Sequence, residues 1–330
     1  MIKILELFGG IGAPRKALVN MGIDHKAIDY VEIDEKAVRA YNALYDPRYK
    51  PQTVVNYNLM PDILVHGSPC QDFSRSGLRL GGKGEDKTRS SLMWETLKII
   101  ENMGNWKPRY VIWENVKGVL DKDMIHSFNK YLIRMTQLGY TNSFEVLNAM
   151  DFGIPQKRER VFVISILGGG SFDFTKLKRK PAPDISHFLE RNVTDERYQI
   201  TVPSMLNRIA EFATEESEYR FLDVIDTHCW TISTRQDRCP NAGIIKNENA
   251  PYRYLTEREC WRLMGFDDAD FNNVLKEYPM KPGMRNATLY KLAGNSIVVN
   301  VLEAIFDVLL NDQHEVPTFS FELHEQLELV

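Results

Sequence analysis

The chain has 330 residues, 43% hydrophobic and 26% charged, with a net charge of −4 and a pI near 6.0. That is the composition of a globular protein, and it excludes a globally basic nucleic-acid binder. No apolar run approaches the roughly 20 residues of a bilayer-spanning helix, and the opening MIKILELFGG reads as a strand rather than a secretory signal, so a cytoplasmic protein is expected.

Short apolar runs alternate with amphipathic stretches through the first half. Residues 2–8 read as a strand. Residues 14–21 follow as a helix, with Pro14 in the first turn, where a missing N–H costs nothing. Strands are expected at 27–33, 62–66, 110–113, 140–148 and 160–167, and helices at 35–45, 91–103 and 123–138. That rhythm predicts an α/β fold with a mostly parallel sheet covered on both faces. It breaks at Gly168, Gly169 and Gly170; up to about residue 247 the pattern is irregular, as for a smaller second unit after a glycine hinge. Helical patterns return at 256–264 and 296–310.

Chemistry-bearing residues fall at the carboxyl ends of these strands, where open α/β sheets bind ligands. Phe8, Gly10 and Gly12 form a glycine turn after the first strand, and Glu32, Ile33 and Asp34 end the second. A glycine turn admits a ligand to the backbone, and an acidic residue at that place accepts ribose hydroxyls; a dinucleotide and S-adenosylmethionine both satisfy the pair. GSPCQDFS, residues 67–74, puts Cys70 on the turn after the third strand, as a nucleophile or a small core filler. Glu114 ends the fourth strand, where a carboxyl can hold or protonate a substrate nitrogen. In QKRER, alternation along one strand would send Arg158 and Arg160 to one face. The cysteines Cys70, Cys229, Cys239 and Cys260 are scattered, unlike a disulfide framework, and His228, Cys229 and Cys239 match no common zinc spacing. Basic residues gather after Cys70 (Arg75, Arg79, Lys83) and between 157 and 180, while acidic ones dominate beyond Lys291. A local basic cleft and a set of solvated charges both fit that distribution.

Taken in order, FGGIG (8–12), VEID (31–34), GSPCQDFS (67–74), ENV (114–116), QKRER (156–160), RYLTERECWRLMGF (253–266) and GNSIVVNV (294–301) resemble the DNA (cytosine-5) methyltransferases along nearly the whole chain. The resemblance implies a Rossmann-like, S-adenosyl-L-methionine-dependent methyltransferase fold with a smaller, irregular target recognition domain. The catalytic domain would be discontinuous, 1–170 and 285–330, with the recognition domain at 171–284. It further implies Cys70 as the nucleophile at cytosine C6, Glu114 at N3 and the amino group, and Arg158 and Arg160 orienting the pyrimidine. Phe8, Gly10, Gly12, Glu32, Ile33, Tyr57, Pro69, Leu92, Asn295 and Ser296 would line the methyl-donor pocket, with GNS beginning the last helix. Gln71, Ser74, Arg75, Arg79, Thr231, Arg235 and Arg238 would meet DNA, and no metal is called for. The target base must leave the duplex, since C6 is out of reach in the stack.

Glu6 stands where the family often has Asp, Pro14 where an aromatic is common, and Ser68 where Phe is frequent. Asn56 and Tyr57 replace an acidic and aliphatic pair near the adenine. The expectation is a short enzyme of prokaryotic or phage type, acting alone as a monomer on double-stranded DNA, of the kind found in restriction-modification systems. The rivals are a transfer-RNA cytosine-5 methyltransferase, a non-catalytic DNA-binding protein and a nucleotide-dependent dehydrogenase. A Cys-Phe-Thr element typical of the RNA branch is missing from the variable region, and the dehydrogenase has no use for Cys70 with Glu114 and Arg158.

Overall fold

The computed structural model describes residues 1–55, 59–67, 91–209, 221–247 and 252–311. Its centre is a six-stranded sheet of β1 (Ile2–Leu7), β2 (His25–Val31), β3 (Ile63–His66), β4 (Tyr110–Val116), β5 (Tyr140–Asn148) and, after the two-residue β6 (Gln156–Lys157), β7 (Glu159–Leu167). The order is β2-β1-β3-β4-β7-β5, and β7 alone runs against its neighbours.

Both faces of the sheet are buried, which is why the strands read as near-continuous apolar runs. Alternate residues go to opposite sides. Ile4, Ile63, Val65, Ile112, Phe162 and Ile164 join a core shared with α1 (Ala13–Asn20), α8 (Ala287–Asn295) and α9 (Val299–Asn311). Leu5, Leu64, Val111, Trp113, Val161 and Val163 face the other way, toward α3 (Ser91–Asn102) and α4 (Ile125–Gln137). On α4, Phe128, Tyr131 and Met135 recur at helical spacing and are all buried. Helix α2 (Glu35–Leu44) starts at Asp34, whose carboxylate caps the Lys36 N–H.

From 168 to 256 the described chain holds 3-10 turns, one helical turn, α5 (Pro203–Leu206), and the two-residue strands β8 (Cys229–Trp230), β9 (Ile245–Lys246) and β10 (Tyr252–Arg253). Ile200, Ile209, Leu222, Ile244, Tyr252 and Tyr254 form a small core of their own. Then α6 (Glu257–Arg262) and α7 (Asp268–Glu277) begin, each with a capping box. Their Trp261 and Phe271 belong to the sheet's core, and Lys16 of α1 pairs with Asp267 and Asp270 at 2.8 and 2.7 Å.

Three elements differ from the sequence reading. Helix α7, polar along most of its length, and helix α8 were not expected. Asn295 ends α8 instead of opening the last helix, which starts at Val299. Together Ala287–Asn311 is apolar enough to cross a bilayer (mean hydropathy 1.6), but 67% of that window is buried inside the protein.

Candidate active site

A cleft opens where the carboxyl ends of β1, β3 and β4 meet the α8–α9 junction. Its walls include Phe8, Gly10, Gly67, Glu114, Asn295 and Ser296, around about 420 Å³ counting the open mouth. The chain leaves β1 through Phe8, whose left-handed backbone (φ 56°) costs a non-glycine residue about 1–2 kcal/mol.

Beside the cleft, behind Gly10, the residues that follow β2 have the chemistry to meet a nucleoside. Glu32 accepts from the N–H groups of Gly10 (3.2 Å), Ile33 (2.8 Å) and Asp34 (2.9 Å). A carboxylate has about four acceptor positions, so one is left for a ligand hydroxyl. Ile33, 73% exposed, offers an apolar face beside it, and a Cβ at Gly10 would point into open space. Asp34 is engaged elsewhere. Burial alone would raise its pKa, but the Lys291 ammonium at 2.6 Å and the Lys36 N–H outweigh this and lower it.

Opposite stands Glu114, its Oε2 3.6 Å from where a Cβ on Gly67 would lie. In the β4–β7 ladder Glu114 faces Phe162, so Arg160, two residues on, is its same-face diagonal neighbour. Arg160 Nε lies 3.1 Å from Glu114 Oε1, with both side chains largely buried. Burial pushes the Glu114 pKa up; Arg160 and then Arg158 draw it partly back, and the net shift is upward. The site therefore holds a carboxyl that gives up its proton at higher pH than a free glutamic acid.

Arg158 does not share that arrangement. Gln156 and Lys157 pair with Cys229 and Trp230, whereas Glu159 onward belongs to the central sheet, so the strand is interrupted at Arg158 and the expected alternation fails. Its guanidinium donates to the carbonyls of Ile232 (3.1 Å), Gly294 (3.1 Å) and Ser296 (2.8 Å). Buried Gln156 completes this seam, donating to Leu263 O (2.8 Å) and accepting from Ile232 N (3.0 Å).

Of the other expected donor-pocket residues, Gly12 sits behind the loop against tyrosine rings, and Leu92 packs half-buried under the sheet. Thr231 donates to Lys157 O at 3.0 Å, and the Lys157 ammonium lies 4.7 Å from the ring centre of the half-exposed Trp230. Arg235 and Arg238 are exposed and make no ion pair among the described residues. Tyr57, Pro69, Cys70, Gln71, Ser74, Arg75 and Arg79 lie outside the described residues. The sequence reading missed Tyr30, Tyr41 and Tyr45 behind the glycine loop; their 4-residue helical spacing (41, 45) marks a core face but not what their hydroxyls bind.

Residues 2–311 match the C-5 cytosine-specific DNA methylase family. The chain belongs to that family. A type II methyltransferase of Lactococcus lactis subsp. cremoris is 30% identical, with 95% of this chain aligned to 100% of it. An orphan methyltransferase of Bacillus phage SPR is 24% identical over 94% of this chain and 98% of its own length. Among solved structures, the S. pombe Dnmt2 methyltransferase superposes with a TM-score of 0.74 at 22% identity, covering 94% of this chain and 98% of that one. At that identity it speaks for the Rossmann-like fold alone. As a C-5 DNA methylase the chain is a methyltransferase that uses S-adenosyl-L-methionine.

Proposed function

We propose that this C-5 DNA methylase modifies one short double-stranded sequence, with Cys70 as nucleophile and Glu114 as proton donor. The observation that carries the reading is the cleft itself. It gathers the glycine loop, a buried carboxyl held by an arginine, and Asn295 and Ser296 from the far end of the chain. Gly67, three residues before Cys70, borders Glu114 in that cleft.

In this scheme the Cys70 thiolate forms a bond to C6 of an extruded cytosine. The C5–C6 π electrons move toward C4, and N3 takes the proton of Glu114, leaving an enamine with a nucleophilic C5. Burial of Glu114 favours its protonated state, and Arg160 fixes its orientation. S-adenosyl-L-methionine supplies an electrophilic methyl group when bound. Once C5 carries the methyl, a water molecule takes the C5 proton, the C6–S bond breaks to return the thiolate, and N3 gives its proton back to Glu114. Glu32, Ile33 and the glycine loop would hold the nucleoside end of the donor.

Target reading is assigned to the stretch within 171–284 that precedes α6, which has a small core of its own and exposes Trp230, Arg235 and Arg238. Arginine gives bidentate contacts to guanine. The catalytic unit is assigned to 1–170 and 285–330, with α6 and α7 packed against it. The enzyme is taken to act as a monomer, away from membranes, in the cytoplasm of a prokaryotic cell or a phage-infected host.

The test is bisulfite sequencing of DNA from a methylation-free bacterial host expressing wild type or Cys70→Ser. We expect 5-methylcytosine in one short context with wild type only. Soluble, folded wild-type protein that leaves the DNA unmodified would overturn the proposal.

A further inference from the structure

The glycine loop rests on a stack of tyrosines. Tyr30 of β2 and Tyr41 of α2 are fully buried, their ring centres 3.7 Å apart, with Tyr45 4.7 Å from Tyr41. Each hydroxyl has one target on β1 or the loop that follows it. Tyr30 donates to Gly10 O (2.6 Å), Tyr45 to Gly12 O (2.8 Å) and Tyr41 to the Glu6 carboxylate (2.6 Å). The rings press on the loop as well. A Cβ at Gly9 would come within 2.6 Å of Tyr30, and one at Gly12 within 2.5 Å of Tyr41 and 2.7 Å of Tyr45.

This support answers a need of the loop. Phe8, Gly10 and Gly12 all have left-handed backbones (φ 56°, 54° and 74°), a sequence of conformations that a free chain holds poorly. A trans peptide is rigid, so fixing the carbonyls of residues 10 and 12 fixes the peptide planes 10–11 and 12–13, one on each side of the 11–12 step. The hydroxyls remain donors throughout the working pH range, because burial raises the Tyr30 and Tyr45 pKa values far above 10.

We propose that Tyr30 and Tyr45 are positioning residues for S-adenosyl-L-methionine, holding the glycine loop in its binding shape through the Gly10 and Gly12 carbonyls. The inference rests on the cofactor cleft described above. It deepens that reading by assigning a role to residues that do not touch the ligand. Phenylalanine keeps the ring stack and deletes one hydrogen bond.

The experiment is isothermal titration of the purified full chain with S-adenosyl-L-homocysteine, alongside steady-state kinetics. Wild type, Tyr30→Phe, Tyr45→Phe and the double variant are compared with Tyr140→Phe. Tyr140 is a buried control whose hydroxyl donates to Pro108 O (2.8 Å) at the opposite end of the sheet. A lost hydrogen bond of about 1 kcal/mol corresponds to about fivefold. We expect each loop variant to weaken binding by about that factor and the double variant by more, with the cofactor KM rising in parallel and kcat at saturation within about twofold. Tyr140→Phe should lower the melting temperature and leave the Kd alone. Affinities within about twofold of wild type for Tyr30→Phe and Tyr45→Phe would overturn the proposal, as would an equal loss in Tyr140→Phe. A folded wild type that binds no S-adenosyl-L-homocysteine would overturn the underlying cleft assignment instead.

Discussion

Replacing Arg158 by methionine separates a structural from a chemical role for that guanidinium. The side chain makes three bonds to backbone carbonyls, at 3.1, 3.1 and 2.8 Å, and so ties the segment at Ile232 to the one at Gly294 and Ser296. Hydrogen bonds to a charged group contribute about 1.5–3 kcal/mol each, but three on one side chain are not additive. Breaking a buried charged network by removing one partner costs about 3–5 kcal/mol. In a chain of this size that is about 4–7 °C in melting temperature. Scanning calorimetry of the variant should show a fall of that order, and Arg158→Lys, which keeps the charge but not the fork, should fall between. Loss of a positive charge near Glu114 should also move the alkaline limb of the pH–kcat profile upward. A melting temperature within about 1 °C of wild type, with kcat collapsed, would refute the seam and return Arg158 to the chemistry.

Burial lifts the Glu6 pKa from 4.5 to about 7 against the hydrogen bond from Tyr41, so the folded state holds a proton that the unfolded state has lost in that window. The stability it confers is present below pH 4.5 and lost as pH rises through about 7, up to about 3 kcal/mol. Denaturant unfolding from pH 5 to 8 should show Glu6→Gln gaining on wild type as pH rises; a constant difference would contradict the assignment. Arg160→Met removes the nearest charge holding the Glu114 pKa down, so kcat should fall by at least about tenfold while its alkaline limb moves to higher pH, read from pH–rate profiles. In Gly294→Ala the new Cβ would sit 2.5 Å from the Ser233 carbonyl carbon and 2.6 Å from the Thr234 nitrogen. Both are backbone atoms, so a loss of about 3 kcal/mol in unfolding free energy is expected, with weaker cofactor binding because Asn295 and Ser296 move with it.

The sheet was legible because buried strands are apolar on both faces, as residues 63–65 of β3 and 161–164 of β7 show. Glu114 and Arg160 were legible for a related reason. Each lies at a strand end that faces the cleft, and ladder register alone brings them together. Arg158 was misplaced because alternation presumes one continuous strand, while the chain changes partners between Lys157 and Glu159. Gly12 was assigned to the pocket by motif, yet what requires glycine there is the Tyr41 ring, a contact between residues 29 apart that no local pattern encodes. Helix α7 was hidden by its polarity: Phe271 and Val274 are buried, and Asp268, Asn272, Lys276 and Glu277 around them are exposed.

The contact between Lys291 and Asp34 spans 257 residues. A ribosome adding about 5–20 residues per second needs tens of seconds to cover that distance. Throughout that interval the glycine loop has emerged and its opposite wall has not been made. Translation that stops before α8 therefore leaves a product in which the cleft lacks the wall that Asn295 and Ser296 supply.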